Sequence, residues 1–173
     1  SASYRAGTTD VTDNLSVVSA DVAPRTITDA NGVTMTGKAY ATASNKEFRL
    51  LLDQEKFADA SAVNITIKWF DALDTTTAKN CINVRWQSSV LNTSWNNYLK
   101  ETGSAWQSKT GTWKTSTYTL TDCDFANITA GYNLHIYTAN NLSDFGTPDD
   151  TSDDIYGIII SEVSVTPVNE FTF

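Results

Sequence analysis

The repeated alternation of apolar and polar residues is the feature that most constrains this chain, because a period of two is the signature of β-strands. In the segment AVNITIKWFD the residues Val63, Ile65 and Ile67 fall on one face. The segments EFRLLLD, CINVRWQSS and YNLHIYTA repeat the pattern. Helical spacing of apolar residues is not sustained beyond about ten residues without a turn former. The sequence therefore predicts an all-β fold.

Seven or eight such strands separated by turn residues predict a single antiparallel β-sandwich of the jelly-roll type. We expect one domain over residues 1–173, with residues 1–25 as a polar lead-in that could contribute to the first strand. The final segment IYGIIISEVSVTP should contain a bulge, because its inward positions shift in parity. Residues 88–112 and 139–154 are expected to be long loops, which are usually functional in compact domains.

Charge argues against several classes of partner. The formal net charge is −8 and the sequence pI is about 4.4. An acidic chain repels the phosphate backbone, so we expect no nucleic acid and no anionic membrane as partner. Charged residues make up only 18% of the chain, and Thr, Ser and Asn replace them on the strand surfaces. That composition suits a secreted protein facing neutral sugars.

The two cysteines, Cys81 and Cys123, allow two interpretations. They could be buried free thiols. Alternatively, Cys81 opens the run CINVRW and Cys123 follows the run STYTLTD, so antiparallel pairing of these strands would bring both to one end. We predict this disulfide, which would stabilise the fold by about 4 kcal/mol and would indicate an oxidising compartment.

Three aromatic residues in segment 88–112 are candidates for sugar binding. A sugar presents apolar C–H faces and a rim of hydroxyls, so its site needs flat rings beside amide or charged groups. Trp95, Tyr98 and Trp106 lie among asparagines and a glutamine. The alternative is that these rings cap the end of the sandwich as a small satellite core.

A sheet face is the second candidate. When the apolar residues of CINVRWQ point inward, Asn83, Arg85 and Gln87 point outward. By the same logic His135 and Tyr137 point outward from their own strand. Such a polar stripe could hold a glycan chain along its length; the alternative is an ordinary solvated face.

The segment TGTWKTSTYTLTDCDFAN, followed by LHIYTA and IIISEVSVTP, resembles a known family. It is similar to the C-terminal half of jelly-roll accessory domains joined to bacterial glycoside hydrolases and polysaccharide lyases. Upstream, FRLLLDQEKFADASAVNITIKWFD is similar to that family's strand, acidic turn, Phe and long strand. The resemblance covers roughly residues 45–167 and implies a calcium-containing carbohydrate-binding module. The cysteines and the aromatic insertion at 88–112 depart from the pattern.

An acidic cluster before the last strand is a candidate calcium site. Calcium prefers carboxylate and carbonyl oxygens on a turning loop, and the resemblance implies a calcium ligand near this position. Asp149, Asp153 and Asp154 would supply ligands, and Asp29 with Asn31 could complete the site. A solvated acidic loop is the alternative, because the spacing is not that of an EF-hand.

Catalytic signals are weak. The chain has one histidine and no Gly-rich phosphate loop, which argues against zinc clusters and catalytic triads. The sequence therefore predicts a non-catalytic carbohydrate-binding module that is secreted or at a bacterial cell surface. We expect it to be a monomeric unit linked to a catalytic or scaffold domain and to bind plant cell-wall β-glycan. The alternatives are a structural or adhesive β-sandwich and a small glycan-cleaving enzyme, which would need two carboxylates about 5–10 Å apart.

Overall fold

The computed structural model describes residues 1–168, and within them the chain forms fourteen β-strands and no helix. The strands are β1 (Ala2–Arg5), β2 (Val11–Asp13), β3 (Leu15–Val17), β4 (Val22–Thr28), β5 (Thr34–Tyr40), β6 (Glu47–Leu52), β7 (Val63–Asp71), β8 (Cys81–Asn92), β9 (Asn97–Glu101), β10 (Ala105–Trp106), β11 (Thr112–Leu120), β12 (Leu134–Tyr137), β13 (Leu142–Ser143) and β14 (Ile155–Pro167).

These strands build two antiparallel sheets that enclose one main core. The first sheet has the order β11-β7-β14-β1-β2, with β5 and β13 also paired to β14 and β4 paired to β5. The second has the order β10-β8-β12-β6-β3, with β9 also paired to β8. The core holds Ile65 and Val165 from the first sheet and Val84 and Leu134 from the second. The predicted all-β class and antiparallel β-sandwich are therefore confirmed.

The predicted bulge in the last strand is also present. The register between β14 and β7 shifts between Ile160 and Glu162, which leaves Ser161 as the extra residue. Before the bulge Ile160 faces the main core, and after it Val163 does so. The bulge therefore lets one long strand keep its apolar side inward on both halves.

The expected polar lead-in at residues 1–25 forms β1 to β3 and the start of β4. Ala2 and Tyr4 are buried in the main core, and β1 pairs with β14, where Ala2 lies opposite Val165. The first residues are therefore an integral part of the first sheet.

The prediction of a long loop at 88–112 is wrong. Strand β8 continues to Asn92, and β9 returns beside it from Asn97, so that the two form a hairpin. Strand β10 adds a second short pairing to β8. The period-two pattern is missing here because the end of the hairpin lies beyond the core, so that even Val90 and Leu91 stay about half exposed.

The predicted disulfide between Cys81 and Cys123 is wrong, because both cysteines are free thiols. Cys81 begins β8, whereas Cys123 lies opposite Ser88 near the other end of that strand. At about 3.3 Å per residue the two are roughly 23 Å apart, far beyond the reach of a disulfide, about 7 Å between Cα atoms. The strand before Cys123, β11, pairs with β7 in the first sheet and not with β8.

Candidate functional site

The outer face of the second sheet, turned away from the core, carries the strongest candidate site. Its side chains come from neighbouring strands in register: Arg85 lies opposite His135, and His135 lies opposite Arg49. We call this surface the arginine face; it comprises Glu47, Arg49, Asn83, Arg85, Gln87, Trp95, Glu101, Tyr132, His135 and Tyr137.

Arg85 is held between two aromatic rings. Its guanidinium carbon lies 4.8 Å from the centre of the Trp95 ring and 4.4 Å from that of Tyr137. Tyr137 is on the neighbouring strand β12, whereas Trp95 reaches over from the turn of the β8–β9 hairpin. The Nε of Arg85 also contacts the carboxylate of Glu101 at 3.3 Å. Cation–π contacts and the ion pair together fix the plane of the guanidinium.

Arg49 forms a second stack of the same kind. Its guanidinium carbon lies 4.6 Å from the centre of the Tyr132 ring, and its Nε contacts Glu47 at 2.9 Å. For Arg49 and Arg85 alike, the contacts to the carboxylates run through Nε. Among residues 1–168 no acceptor takes a hydrogen bond from the terminal nitrogens of either guanidinium. These nitrogens are therefore free to donate to a ligand.

His135 lies between the two stacks and is only 1% exposed. Neither ring nitrogen has a hydrogen-bond partner among the described residues, and Nε2 lies 3.8 Å from the nearer oxygen of Glu47. Burial, together with the positive charges of Arg85 and Arg49 and against the charge of Glu47, lowers the pKa of His135 to about 4. The imidazole is therefore neutral at pH 7.

Asn83 and Gln87 lie on the same face but are nearly covered, at 5% and 8% exposure. The amide nitrogen of Asn83 donates to the Ser104 hydroxyl at 3.1 Å, and the Thr129 hydroxyl donates to the Gln87 carbonyl at 3.0 Å. The side chains of Asn83 and Gln87 thus point away from the core, as predicted. Neighbouring segments nevertheless cover them almost completely.

The three predicted aromatic candidates are not brought together. Trp95 joins the arginine face, as described above. Trp106 is 58% exposed on β10, opposite Cys81 at the far end of β8. Tyr98 is 51% exposed on β9 and lines a separate cleft beside Ile128. A satellite core made by all three rings is therefore not present.

Four residues of the arginine face were missed in the sequence interpretation: Glu47, Arg49, Glu101 and Tyr132. A signal existed for the first two, because in EFRLLLD the inward direction of Phe48 and Leu50 turns Glu47 and Arg49 outward. Tyr132 precedes β12 in an irregular segment, so no periodicity could have placed it.

The acidic residues proposed for calcium fall into two groups. One carboxylate oxygen of Asp153 and one of Asp154 are buried and have no hydrogen-bond partner among the described residues. Burial, and then the negative charge of Asp153, raises the pKa of Asp154. Asp149 is exposed in the same loop. Oxygens that lack donors in an acidic loop fit the ligand preference of calcium.

Asp29 and Asn31 fit that role less well. One oxygen of Asp29 accepts from the backbone N–H groups of Asn31 and Val33, and the other accepts from that of Trp113. Although burial opposes the effect, these hydrogen bonds lower the pKa of Asp29. Within residues 1–168 no three His, Cys, Asp or Glu side chains converge in a way that could hold a metal ion. Calcium stays a prediction.

Comparisons with known proteins show a likeness among solved structures. In the part of the chain that the structure describes, no helix is long and apolar enough to cross a membrane. No protein-family model matches the sequence, and no curated protein does so either. Among solved structures, the chain is similar to the CBM22-2 xylan-binding domain of Xyn10C from Paenibacillus barcinonensis, with 14% identity and a TM-score of 0.47 over 90% of this chain and 92% of that one.

Proposed function

We propose that this chain is a carbohydrate-binding module that holds polysaccharide on the arginine face and does not cleave it. The observation that carries the proposal is Arg85, which is fixed between the rings of Trp95 and Tyr137 while its terminal nitrogens stay free. Immobilised donors beside aromatic rings provide the two contacts that a sugar needs, one for its hydroxyls and one for its C–H faces.

The spacing of the two arginines supports an extended ligand. Strands β8 and β6 flank β12, so the backbones of Arg85 and Arg49 are two strand spacings apart, about 10 Å. One sugar ring cannot reach both guanidinium groups, whereas a chain that runs across the strands can. The positive charges of Arg49 and Arg85 are balanced by Glu47 and Glu101, which favours a neutral glycan. We propose a plant cell-wall β-glycan, the class favoured in the sequence analysis.

The carboxylates of this face support binding without hydrolysis. Glu101 on β9 and Glu47 on β6 lie three strand spacings apart and are offset by two residues along the strands, which places their backbones about 16 Å apart. Glycoside hydrolases place their two carboxyl groups about 5–10 Å apart. Each glutamate is also paired with an arginine.

The wider context of the module is part of the proposal. We propose that it is secreted or held at a bacterial surface, and that it is a monomeric unit linked to catalytic or scaffold domains. A structural calcium ion would bind at Asp149, Asp153 and Asp154. In this role the module would keep its linked domain close to insoluble polysaccharide and so raise the local substrate concentration.

Affinity electrophoresis against soluble β-glucans, xylans, mannans and pectins tests the binding proposal. We expect one polysaccharide class to retard the protein, and Arg85→Lys to abolish the retardation, because lysine keeps the charge but lacks the planar fork. Arg5→Lys is the matched control, since Arg5 is exposed on the outer face of the first sheet. Retardation by no polysaccharide, or equal loss in both variants, would contradict the proposal.

A structural or adhesive β-sandwich is the second candidate. It is favoured by the fact that Arg49 and Arg85 already stack on rings and pair with carboxylates of the same chain. It predicts that Tyr137→Ala lowers the free energy of unfolding while no polysaccharide retards the wild-type protein. A glycan-cleaving enzyme would instead release reducing ends from the polysaccharide, and Glu47→Gln or Glu101→Gln would stop that release.

Calcium binding is tested by thermal unfolding with added calcium and with a chelator. We expect calcium to raise the midpoint, because an ion that binds only the folded state stabilises it. Asp153→Asn should remove that increase. Asp59→Asn, at an exposed position of the β6–β7 connection, should leave it unchanged. A midpoint that does not respond to calcium would contradict a structural ion.

A further inference from the structure

We infer that the cleft between the β8–β9 hairpin and the segment 121–131 binds a single neutral sugar residue. This segment lies between β11 and β12, and its Phe125 is buried in the main core. The cleft has a volume of about 370 Å³. It shares Gln87 with the arginine face but contains neither arginine stack, so the inference does not depend on the function proposed for that face. Its lining consists of Gln87, Ser88, Ser89, Tyr98, Asp124, Asn127 and Ile128.

The aromatic wall of the cleft is Tyr98. Its side chain is 51% exposed, and the neighbouring Ile128 is 47% exposed. Large apolar groups that adjoin each other at the surface often mark a binding site. A half-exposed ring beside an aliphatic side chain is suited to the C–H face of a pyranose, which needs a flat apolar surface.

The polar wall supplies groups already held in position. The amide nitrogen of Asn127 donates to one oxygen of Asp124, and the Thr129 hydroxyl donates to the carbonyl of Gln87. Within residues 1–168, the side-chain nitrogen of Gln87, the carbonyl oxygen of Asn127 and the second oxygen of Asp124 make no hydrogen bond to protein. The cleft therefore offers donors and acceptors together, and a sugar hydroxyl uses both.

The size and charge of the cleft define the class of ligand. A volume of about 370 Å³ lies near the lower end of the range for small-ligand sites, roughly 300–1,000 Å³, which suits one sugar ring. Asp124 disfavours a uronate, and the nearby cation Lys100 is already paired with Asp122 at 2.7 Å. The ligand is thus a neutral hexose or pentose at a chain end or a side branch.

Titration by ¹H–¹⁵N NMR with the methyl glycosides of glucose, galactose, mannose and xylose tests the inference, with methyl glucuronide as the charged comparison. We expect at least one neutral glycoside to shift the amide signals of residues 87–89, 98 and 124–128. Tyr98→Ala should weaken this binding about tenfold, which corresponds to the loss of a stacking ring. Tyr98→Phe should retain it, because the ring remains.

Two further variants distinguish binding in this cleft from binding at the arginine face. Asn127→Ala, at an exposed turn position, should also weaken binding. Arg85→Lys should leave binding in the cleft unchanged, whether or not the arginine face binds polysaccharide. The inference is overturned if no neutral glycoside shifts these signals, if the glucuronide binds as well as the neutral sugars, or if Tyr98→Ala binds like the wild type.

Discussion

Replacing His135 with phenylalanine should stabilise the domain and should remove much of its sensitivity to mild acid. His135 is the only histidine in the chain, is 1% exposed, and leaves both ring nitrogens without a partner among the described residues. A buried polar group without a partner costs about 1–3 kcal/mol. Phenylalanine removes that cost, and part of the gain is offset because its ring is slightly larger. We expect a net gain of about 1 kcal/mol at pH 7.

The dependence on pH follows from proton linkage. The pKa of His135 is lowered from 6.5 to about 4 in the folded state. Between these values the unfolded chain binds a proton that the folded chain does not, so stability is lost as the pH falls through this window. From pH 7 to pH 5 the loss is about 2 kcal/mol. His135→Phe lacks this loss, so its advantage over the wild type should grow by that amount.

Urea unfolding at pH 7 and pH 5, followed by tryptophan fluorescence, measures both quantities. Asp154, whose pKa burial raises, is present in both proteins, so its contribution cancels in the comparison. An advantage of equal size at the two pH values would refute the reasoning. So would an NMR titration in which the His135 signals move near pH 6.5.

Three further predictions concern residues that stabilise the two sheets or lie buried in them. Asp71→Asn should lower the free energy of unfolding in urea by about 3 kcal/mol. This fully buried carboxylate accepts hydrogen bonds from backbone N–H groups of the β10–β11 connection and pairs with Lys114 at 2.9 Å. A decrease below about 1 kcal/mol would contradict this role. Gly37→Ala should cost about 2 kcal/mol in the same assay, since the new Cβ would lie 2.3 Å from the Cγ2 of Ile159; an unchanged midpoint would show that the strands can separate. A reducing agent should leave the unfolding midpoint unchanged, and a lower midpoint under reduction would indicate a disulfide. Burial raises the pKa of Cys123 to about 12, so this thiol should react with thiol reagents only after unfolding.

The sequence predicted strands where one face is buried, and it failed where neither face is. Val63, Ile65 and Ile67 alternate because each packs into the core, so β7 was recognisable. The far end of the β8–β9 hairpin has solvent on both sides, and its polar and apolar residues follow no period of two. The failure of the disulfide has a different cause. Alternation tells which face a residue is on, but the sheet to which a strand belongs depends on pairings between distant segments.

The difference between local alternation and distant pairing also explains which residues of the candidate site were predicted. Arg85 and Tyr137 were predicted because their strands alternate, and the register brings them to one face. The contact between Arg85 and Trp95 depends on how the hairpin turn folds over the sheet, which no local pattern encodes. Tyr132 lies in an irregular segment, and it meets Arg49 only through tertiary structure.

The central place of β14 has a consequence for how the chain folds during synthesis. This strand pairs with β1, β5, β7 and β13, although it is the last strand in the described sequence. On a ribosome, residues 2–71 would emerge with several strand edges unpaired, and they would stay so until residues 155–167 left the exit tunnel. Such long-range pairing slows folding and exposes edges to aggregation. We therefore expect nascent chains that stop before residue 155 to bind chaperones and to resist refolding.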